Sequence, residues 1–306
     1  MGSFGWKGDV MQHEGDVTLL AKLARGKSRI GLLILSGVIR GVYGGGMAIA
    51  LEKRSLQDYL KVIVGVSTGG PVGLFLAGGA VYRGNRIYSE EAATPNFISL
   101  SPQRALKGTS ADVGFLASVF RGEIGNNPIP IDAMRSCPAD VYVPLTNWET
   151  GKGELVNAKS ALPDPIAAVQ ATIAMPLLYR IPVFVNGTRY VDGGIGFPFP
   201  AREMVEKWKL DGLIVFANWP KDSPISPLFQ GKVVSHLLPT ALGAALRSRT
   251  TRFDDGVRFV RESGIEHLIV WTDGQVGAFA RNPAVIKDGA RRALNYMDNL
   301  CARAGL

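Results

Sequence analysis

Near its N-terminus the chain alternates between strand-like and helix-like segments, and this alternation constrains the fold more than any other feature. Arg29–Ser36 and Lys61–Val66 are short runs rich in leucine, isoleucine and valine, as expected of strands buried on both faces of a sheet. Gly44–Lys53 and Thr68–Ala80 follow them with the small and apolar residues of buried helices. This order predicts a parallel sheet with right-handed crossover helices, and therefore an α/β fold.

Further along the chain, two pairs of short β-prone runs are predicted to form hairpins: Asp140–Pro144 with Glu154–Asn157, and Ile181–Val185 with Arg189–Val191. Asn186-Gly187, between the second pair, is the strongest short signal for a hairpin turn. The remaining predicted elements are two strands, Gly212–Ala217 and Glu266–Thr272, and three helices, Asp164–Ile173, Ala201–Lys209 and Pro283–Arg303. Together these elements extend the α/β pattern over most of the chain.

The length of 306 residues suffices for one large α/β domain or two ordinary ones, and no internal repeat or low-complexity tract divides the chain. We therefore expect a single domain over residues 29–306, preceded by a polar N-terminal leader over residues 1–28. Residues 83–135 are less regular and are predicted to form a helical insertion beside the sheet. Residues 228–306 are predicted to form a helical C-terminal part.

The composition, with 46% hydrophobic and 20% charged residues, is typical of a soluble globular protein. No apolar run approaches the ~18 residues that a transmembrane helix needs, and Met1–Asp16 lacks the apolar segment of a signal peptide. The two cysteines, Cys137 and Cys301, match no disulfide framework or metal spacing and favour a reducing compartment. We expect a cytoplasmic protein that needs no metal or cofactor and meets membrane lipid peripherally.

A net charge of +8 and a pI near 9.5 raise the question of an anionic partner. Five arginines crowd into one region of the chain: Arg247, Arg249, Arg252, Arg258 and Arg261. Acidic residues lie among them, and no nucleic-acid-binding motif accompanies them. We therefore expect solvated helix faces and no nucleic-acid partner, with adsorption to an anionic membrane surface as the alternative.

Gly65-Val66-Ser67-Thr68-Gly69 fits the Gly-x-Ser-x-Gly pattern of serine hydrolases. A glycine-rich chain can produce this pattern by chance, but here it lies between a predicted strand and a predicted helix, as the motif requires. A sharp strand-to-helix turn pushes the serine Oγ out at the carboxyl end of the sheet, and the flanking glycines permit the tight turn. Ser67 is therefore the candidate nucleophile, supported by Gly65 and Gly69. The alternative is a glycine-rich turn with an idle serine.

A serine nucleophile needs a group that accepts its proton. The chain has three histidines: His13, His236 and His267. None of them follows the carboxyl end of a predicted strand, whereas Asp192 does so and opens the one Asp-Gly-Gly run of the chain. The two glycines let another backbone or an acyl group come close, although a plain glycine turn is an equal explanation. A Ser67–Asp192 pair is the better candidate, and a triad that uses His236 or His267 stays open.

These motifs together resemble the patatin-like phospholipases. Besides the Ser67 and Asp192 motifs, the resemblance includes Leu35-Ser36-Gly37, Arg40-Gly41, Thr150-Gly151 and Ala171–Pro176, while Gly84–Tyr88 and Asn96–Leu100 are similar to one bacterial branch of the family. It extends in order over roughly residues 29–220. It implies a three-layer α/β/α sandwich around a mostly parallel sheet, and hydrolysis of acyl esters in phospholipids or neutral glycerolipids. It also implies a serine that an aspartate activates without histidine.

By this resemblance Ser67 is the nucleophile and Asp192 the base, with Gly193 and Gly194 completing the aspartate motif. An aspartate is a poor base at its ordinary pKa of ~3.9, so burial beside the serine should raise that pKa. The protonated carboxyl would then donate to the leaving alcohol.

The family's oxyanion loop, Gly-Gly-Gly-x-Arg-Gly, corresponds here to Ser36–Gly41, in which one of the three glycines remains. Gly37 and Val38 are expected to donate the oxyanion hydrogen bonds, with Arg40 and Gly41 supporting the loop. A β-branched residue resists positive φ, and its side chain intrudes above the serine. The loss of one properly aimed donor costs on the order of 10²–10³ in rate. Val38 is therefore the departure that bears most on activity.

Two further functions stay open at this point. The valine permits a lipid-binding or regulatory protein with a weakened active site, although the intact Ser67 and Asp192 argue against it. Nucleotide binding through Gly41–Gly46 is the weakest hypothesis, because neither Gly-x-Gly-x-x-Gly nor a lysine-containing phosphate loop is present.

Overall fold

The computed structural model describes residues 10–99, 101–221 and 234–306. Within these residues a single sheet of nine strands forms the centre of the molecule. The strands are β1 (Gln12–Gly15), β2 (Ile30–Ile34), β3 (Val62–Gly65), β4 (Asp140–Asn147), β5 (Gly153–Asn157), β6 (Val183–Val185), β7 (Thr188–Asp192), β8 (Gly212–Ala217) and β9 (Glu266–Trp271). Their order across the sheet is β1-β9-β8-β2-β3-β4-β7-β6, and β5 also pairs with β4.

The five central strands, β9, β8, β2, β3 and β4, are parallel. The flanking strands are antiparallel: β1 pairs with β9, and β4 pairs with β5 and β7, the latter joined to β6 in a hairpin. The parallel sheet predicted from the strand–helix alternation is therefore its centre, and the two predicted hairpins form one flank. Asn186, in the tight turn of the second hairpin, adopts a φ of 52°, as this turn type requires.

Helices surround the sheet. They are α1 (Thr18–Ala24), α2 (Gly41–Glu52), α3 (Gly69–Ala77), α4 (Val81–Glu90), α5 (Pro102–Lys107), α6 (Val113–Arg121), α7 (Ile131–Ser136), α8 (Pro165–Thr172), α9 (Gly193–Gly196), α10 (Ala201–Trp208), α11 (Thr240–Arg247), α12 (Arg249–Glu262) and α13 (Pro283–Arg303). The caps follow the sequence: Asp164 accepts a hydrogen bond from the Ala167 N–H at the start of α8, and Pro165 fills its first position. None of the helices in the described ranges is long and apolar enough to cross a membrane.

The three layers arise from the alternation of side chains along the central strands. Leu32 and Ile34 of β2 point into a core with residues of α2, α3 and α13. Leu33 of β2 and Leu35 after it point to the opposite face, into a core with residues of α10 and α12. Because both faces of the parallel centre are covered, its strands are apolar throughout rather than alternating. The structure is the α/β/α sandwich expected from the sequence.

The N-terminal leader expected over residues 1–28 does not end at a structural boundary. Gln12–Gly15 is the edge strand of the sheet, and Thr18–Ala24 buries Leu19, Leu20 and Leu23 in the core. The sequence did not predict β1 because its residues are polar. An edge strand is held by backbone pairing to one neighbour and needs no apolar side chains. Residues 1–9 lie outside the described part.

Both regions that the sequence predicts to be helical contain helices among the described residues. Residues 83–135 contain most of α4, all of α5 and α6, and all but the last residue of α7, and this insertion contributes side chains to the site described below. The C-terminal part contains α11, α12 and α13 together with β9. Residues 222–233, where the predicted C-terminal part begins, lie outside the described residues.

Candidate active site

Ser67 lies in the turn between β3 and α3 and adopts a φ of 51°, in the left-handed region that non-glycine residues rarely occupy. The side chain is buried, at 6% exposure. The flanking glycines are required by packing: a Cβ on Gly65 would collide with the Gly69 carbonyl, and a Cβ on Gly69 would collide with the Ile34 carbonyl. The turn thus combines backbone strain with close packing, as in the strained strand-to-helix turns of serine hydrolases.

Asp192 ends β7 and meets this turn from the flank of the sheet. Ser67 Oγ donates a hydrogen bond of 2.7 Å to Asp192 Oδ2. The second carboxylate oxygen, Oδ1, accepts a hydrogen bond of 2.7 Å from the Gly194 N–H. Gly193 is required by close packing, because a Cβ there would collide with the carbonyl of Pro144 in β4. The Asp-Gly-Gly run therefore holds the carboxylate with one oxygen toward Ser67.

The surroundings of Asp192 favour its protonated form more than water does. Burial raises the pKa of this carboxyl to about 6, against the lowering effects of the Ser67 hydroxyl, the Arg249 charge and the Gly194 N–H. A carboxyl whose pKa lies near neutral pH can both accept and return a proton. The raised pKa expected from the sequence is thus present in the structure.

The loop expected to form an oxyanion hole passes beside Ser67. Val38 adopts a φ of 54° despite its β-branched side chain, and Gly37 and Val38 both line the cavity that contains Ser67. Their N–H groups have no hydrogen-bond partner within the described part of the chain. The next N–H, that of Ile39, is occupied by the Ala278 carbonyl. Two adjacent backbone N–H groups at the cavity lining are therefore not engaged by another group of the described residues.

Arg40 and Gly41 form the end of this loop. Arg40 Nε donates to the Val276 carbonyl at 3.1 Å, and its guanidinium stacks 4.5 Å from the centre of the Trp219 ring. Gly41 begins α2, and a Cβ on it would collide with the Tyr88 hydroxyl, which donates to the Thr68 carbonyl. Arg40 thus ties the loop to a neighbouring carbonyl, and α2 begins three residues before the predicted Gly44.

Thr172, in α8, is a part of the site to which the sequence assigned no role. Its Oγ1 accepts a hydrogen bond of 3.1 Å from the Ser67 N–H and donates one of 2.7 Å to the Pro144 carbonyl. Thr172 is fully buried. It therefore anchors the strained serine backbone to the strand that also packs against Gly193. Thr172 lies in the run Ala171–Pro176, which is part of the family resemblance, and this was the sequence signal that could have identified it.

Arg249 is the second such residue. The sequence placed it among solvated arginines, but it is 5% exposed and lines the cavity with Ser67 and Asp192. Burial lowers the pKa of its guanidinium, and the Asp192 charge opposes that effect. Arg252 is half-buried and donates to the Ile195 carbonyl at 2.7 Å, whereas Arg258 is exposed, as predicted. The sequence alone gave no means of telling the buried arginine from the exposed ones.

An apolar cavity of about 70 Å³ extends from the Ser67–Asp192 pair into the protein. Its polar end is lined by Ser36, Gly37, Ser67, Asp192 and Arg249. Its apolar walls come from α3, α4 and α6: Pro71, Val72, Phe75, Ile87, Tyr88, Leu116 and Phe120. The insertion over residues 83–135 thus supplies two of its walls.

The three histidines lie elsewhere, and none of them lines this cavity. His13 Nδ1 is 2.8 Å from the Tyr296 hydroxyl, and His267 Nδ1 is 3.1 Å from the Ile265 carbonyl. His236 is exposed in a short 3₁₀ turn. Across the residues that the structure describes, no group of three or more His, Cys, Asp or Glu side chains is arranged to hold a metal ion.

A comparison with known protein families finds one that this chain matches. The family model for patatin-like phospholipase matches residues 32–205. No curated protein matches the chain. Among solved structures, VipD from Legionella pneumophila is similar at 12% identity over 99% of this chain and 72% of that chain, with a TM-score of 0.46. A chain of the complex of SpcU with ExoU from Pseudomonas aeruginosa is similar at 13% identity over 86% of this chain, with a TM-score of 0.34, and this chain spans 60% of its length.

Proposed function

This chain belongs to the patatin-like phospholipase family, and from that premise we propose that it hydrolyses the acyl esters of phospholipids or other glycerolipids through Ser67 and Asp192. Membership in the family supports lipid hydrolysis as the broad function. The observation that carries the finer proposal is the 2.7 Å hydrogen bond from Ser67 Oγ to Asp192 Oδ2 at the end of an apolar cavity. A dyad of this kind needs no histidine.

In the first half of the proposed reaction, Ser67 Oγ attacks the acyl carbonyl carbon while its proton passes to Asp192 Oδ2. The carbonyl oxygen becomes an oxyanion, and the open N–H groups of Gly37 and Val38 are the donors proposed to stabilise it. The tetrahedral intermediate then collapses, the bond to the alcohol oxygen breaks, and Asp192 returns the proton to that oxygen. The products are a free alcohol and an acyl-Ser67 ester.

In the second half, water attacks the acyl-enzyme. Asp192 accepts a proton from the water, and the new tetrahedral intermediate forms at the same pair of N–H donors. Collapse breaks the ester to Ser67 Oγ, which recovers its proton from Asp192 and releases the fatty acid. A carboxyl with a pKa of about 6 suits both directions of this transfer.

The cavity supports an acyl chain as the group that the site accepts. Pro71, Val72 and Phe75 of α3 line the cavity with apolar side chains. An apolar wall of this kind suits the hydrocarbon part of an acyl ester better than a polar substrate.

Contact with a membrane surface is part of the proposal, because the substrate lipids reside there. Ile181 and Phe184, within the segment Leu177–Phe184, are 48% and 54% exposed. Leu178 of the same segment lines the cavity, so apolar surface lies next to the site. A second apolar segment of the sequence, Phe229–Leu246, is a further candidate for membrane contact, and it begins outside the described residues. We propose a cytoplasmic enzyme that binds membranes peripherally.

The competing functions receive less support. A triad needs a histidine within hydrogen-bond reach of the serine, and none of the three histidines lines the cavity. A lipid-binding protein with a disabled site would be favoured if Val38 could not adopt the loop conformation, but its φ of 54° is positive. Both observations support the dyad.

The test is labelling with a fluorophosphonate probe, which reacts with activated serines. We expect labelling of the wild type, none of Ser67→Ala, and slower labelling of Asp192→Asn. Ser89→Ala is the matched control, because Ser89 is equally buried but does not line the cavity; it should label like the wild type. A folded wild type that does not label would refute the proposal and favour a binding function.

A further inference from the structure

Arg249 carries a positive charge that is buried in the protein, and such a charge requires an explanation. Its guanidinium is removed from water, which is unfavourable unless partners compensate. Arg249 begins α12, beyond residue 205, where the match to the family ends. Its role is therefore a property of this chain that the family motifs do not contain.

Its contacts join two parts of the site. Arg249 Nε donates a hydrogen bond of 2.6 Å to the Gly194 carbonyl, in the turn directly after Asp192. Arg249 Nη2 lies 3.4 Å from Ser36 Oγ, in the residue before Gly37. The guanidinium thus bridges the turn that holds the carboxylate and the loop that offers the backbone donors.

Its charge also lies beside the carboxylate. The position that a Cβ on Gly194 would take is 3.0 Å from Asp192 Oδ1 and 3.6 Å from Arg249 Nη2, so both groups border the same small space. An opposite charge so close stabilises the ionised form of a carboxyl, particularly away from water.

We propose that Arg249 is a positioning residue for the reaction: it clamps the Asp192 turn to the loop at Ser36, and its charge keeps the carboxylate able to accept the Ser67 proton. This inference rests on the proposed function, since it assigns Arg249 a role in the same proton transfer. Without the guanidinium, only the two neutral donors, the Ser67 hydroxyl and the Gly194 N–H, would oppose the effect of burial, and Asp192 would hold its proton more tightly.

The other groups that face Asp192 do not duplicate this role. Ser67, from the turn before α3, and the Gly194 N–H, from α9, are neutral hydrogen-bond donors. Arg252 lies one turn further along α12, where its guanidinium bonds the carbonyls of Ile195 and Ala245. Among the described residues, Arg249 is the charged side chain whose field lowers the pKa of Asp192.

The test compares the pH dependence of kcat/KM for the wild type, Arg249→Met and Arg249→Lys on a neutral p-nitrophenyl ester. We expect the acid limb of Arg249→Met to move upward by about one pH unit or more, so that its activity is lost near pH 6 and largely recovers at pH 8–9. Arg249→Lys keeps a charge and should restore most of the wild-type profile. Fluorophosphonate labelling rates across the same pH range supply a readout without turnover.

Arg252→Met is the matched control, because it removes a hydrogen bond to the same short helix but not the charge beside Asp192. Its acid limb should stay at the wild-type pH even if its thermal stability falls. An Arg249→Met protein with an unmoved acid limb would overturn the inference. If Arg249→Met does not fold, the same comparison is made with Arg249→Gln and Arg249→Lys. Equal hydrolysis by wild type and Ser67→Ala would instead refute the proposed function itself.

Discussion

Val38 and Ser67 border the same cavity, and both adopt a left-handed backbone conformation, with φ of 54° and 51°. The left-handed region costs an L-residue about 1–2 kcal/mol, and strain of this kind is concentrated at functional sites. At Ser67 the strain presents Oγ to Asp192. At Val38 it is the conformation that a β-branched residue resists, yet the loop adopts it. Valine in place of glycine thus adds a side chain to this loop, while the backbone at Val38 keeps a positive φ.

Replacement of Val38 by glycine should relieve this strain. Relief of about 1–2 kcal/mol, offset by about 0.4–1 kcal/mol of added unfolded-state entropy, predicts a free energy of unfolding equal to or slightly above that of the wild type. Removal of the side chain from above Ser67 should also raise kcat/KM on bulky acyl esters severalfold. Val38→Ala is the control, since it keeps a Cβ at positive φ and should be less stable than Val38→Gly in urea denaturation. A loss of activity in Val38→Gly would show that the valine side chain aids the reaction.

Thr172 should matter for both stability and rate. Thr172→Val keeps the shape but leaves the buried Ser67 N–H and Pro144 carbonyl without their partner, which should cost about 2–4 kcal/mol of unfolding free energy. The serine backbone should also relax and lower kcat at least tenfold. Thr172→Ser retains the hydroxyl and should stay close to the wild type in thermal unfolding and kinetics. Equal behaviour of the two variants would contradict the anchoring role.

The activity of the wild type should depend on an ionisation near pH 6. Asp192 must be deprotonated to accept the Ser67 proton, and burial raises its pKa to about 6. As the pH falls below that value the protonated fraction rises, so kcat/KM should fall about tenfold per pH unit. The measurement is kcat/KM on a neutral ester between pH 4.5 and 9, with the Ser67→Ala background subtracted. Constant activity down to pH 4.5 would exclude Asp192 as the base.

Acyl-chain preference should respond to Phe120. Its ring packs edge-to-face against Phe75, with ring centres 6.4 Å apart, and both line the cavity. Phe120→Leu should widen the cavity and shift the optimum toward longer chains in a p-nitrophenyl ester series from butyrate to palmitate. Phe115→Leu, on the same helix but away from the cavity, should leave the optimum in place. An unchanged optimum in Phe120→Leu would place the acyl chain elsewhere.

Much of the fold could be predicted because its signals are local. The runs around β2 and β3 are apolar on both faces, and the Asn186-Gly187 turn and the Asp164 cap act through neighbouring backbone. The edge strand Gln12–Gly15 escaped prediction because its pairing with β9 depends on a strand more than 250 residues away. The burial of Arg249 could not be predicted either, because it depends on how α12 packs against the sheet, and its sequence context is the same as that of its exposed neighbours.

By itself the sequence determined the serine turn, since Gly65–Gly69 between a strand and a helix dictates where Ser67 Oγ emerges, and it marked Asp192 as the better partner. Only the tertiary structure decided that these two residues, 125 positions apart, share a hydrogen bond, that Thr172 and Arg249 support them, and that α4 and α6 enclose an apolar cavity. The physical reason is that a turn follows from the conformations of consecutive residues. A site follows from strand order and packing, to which the whole chain contributes.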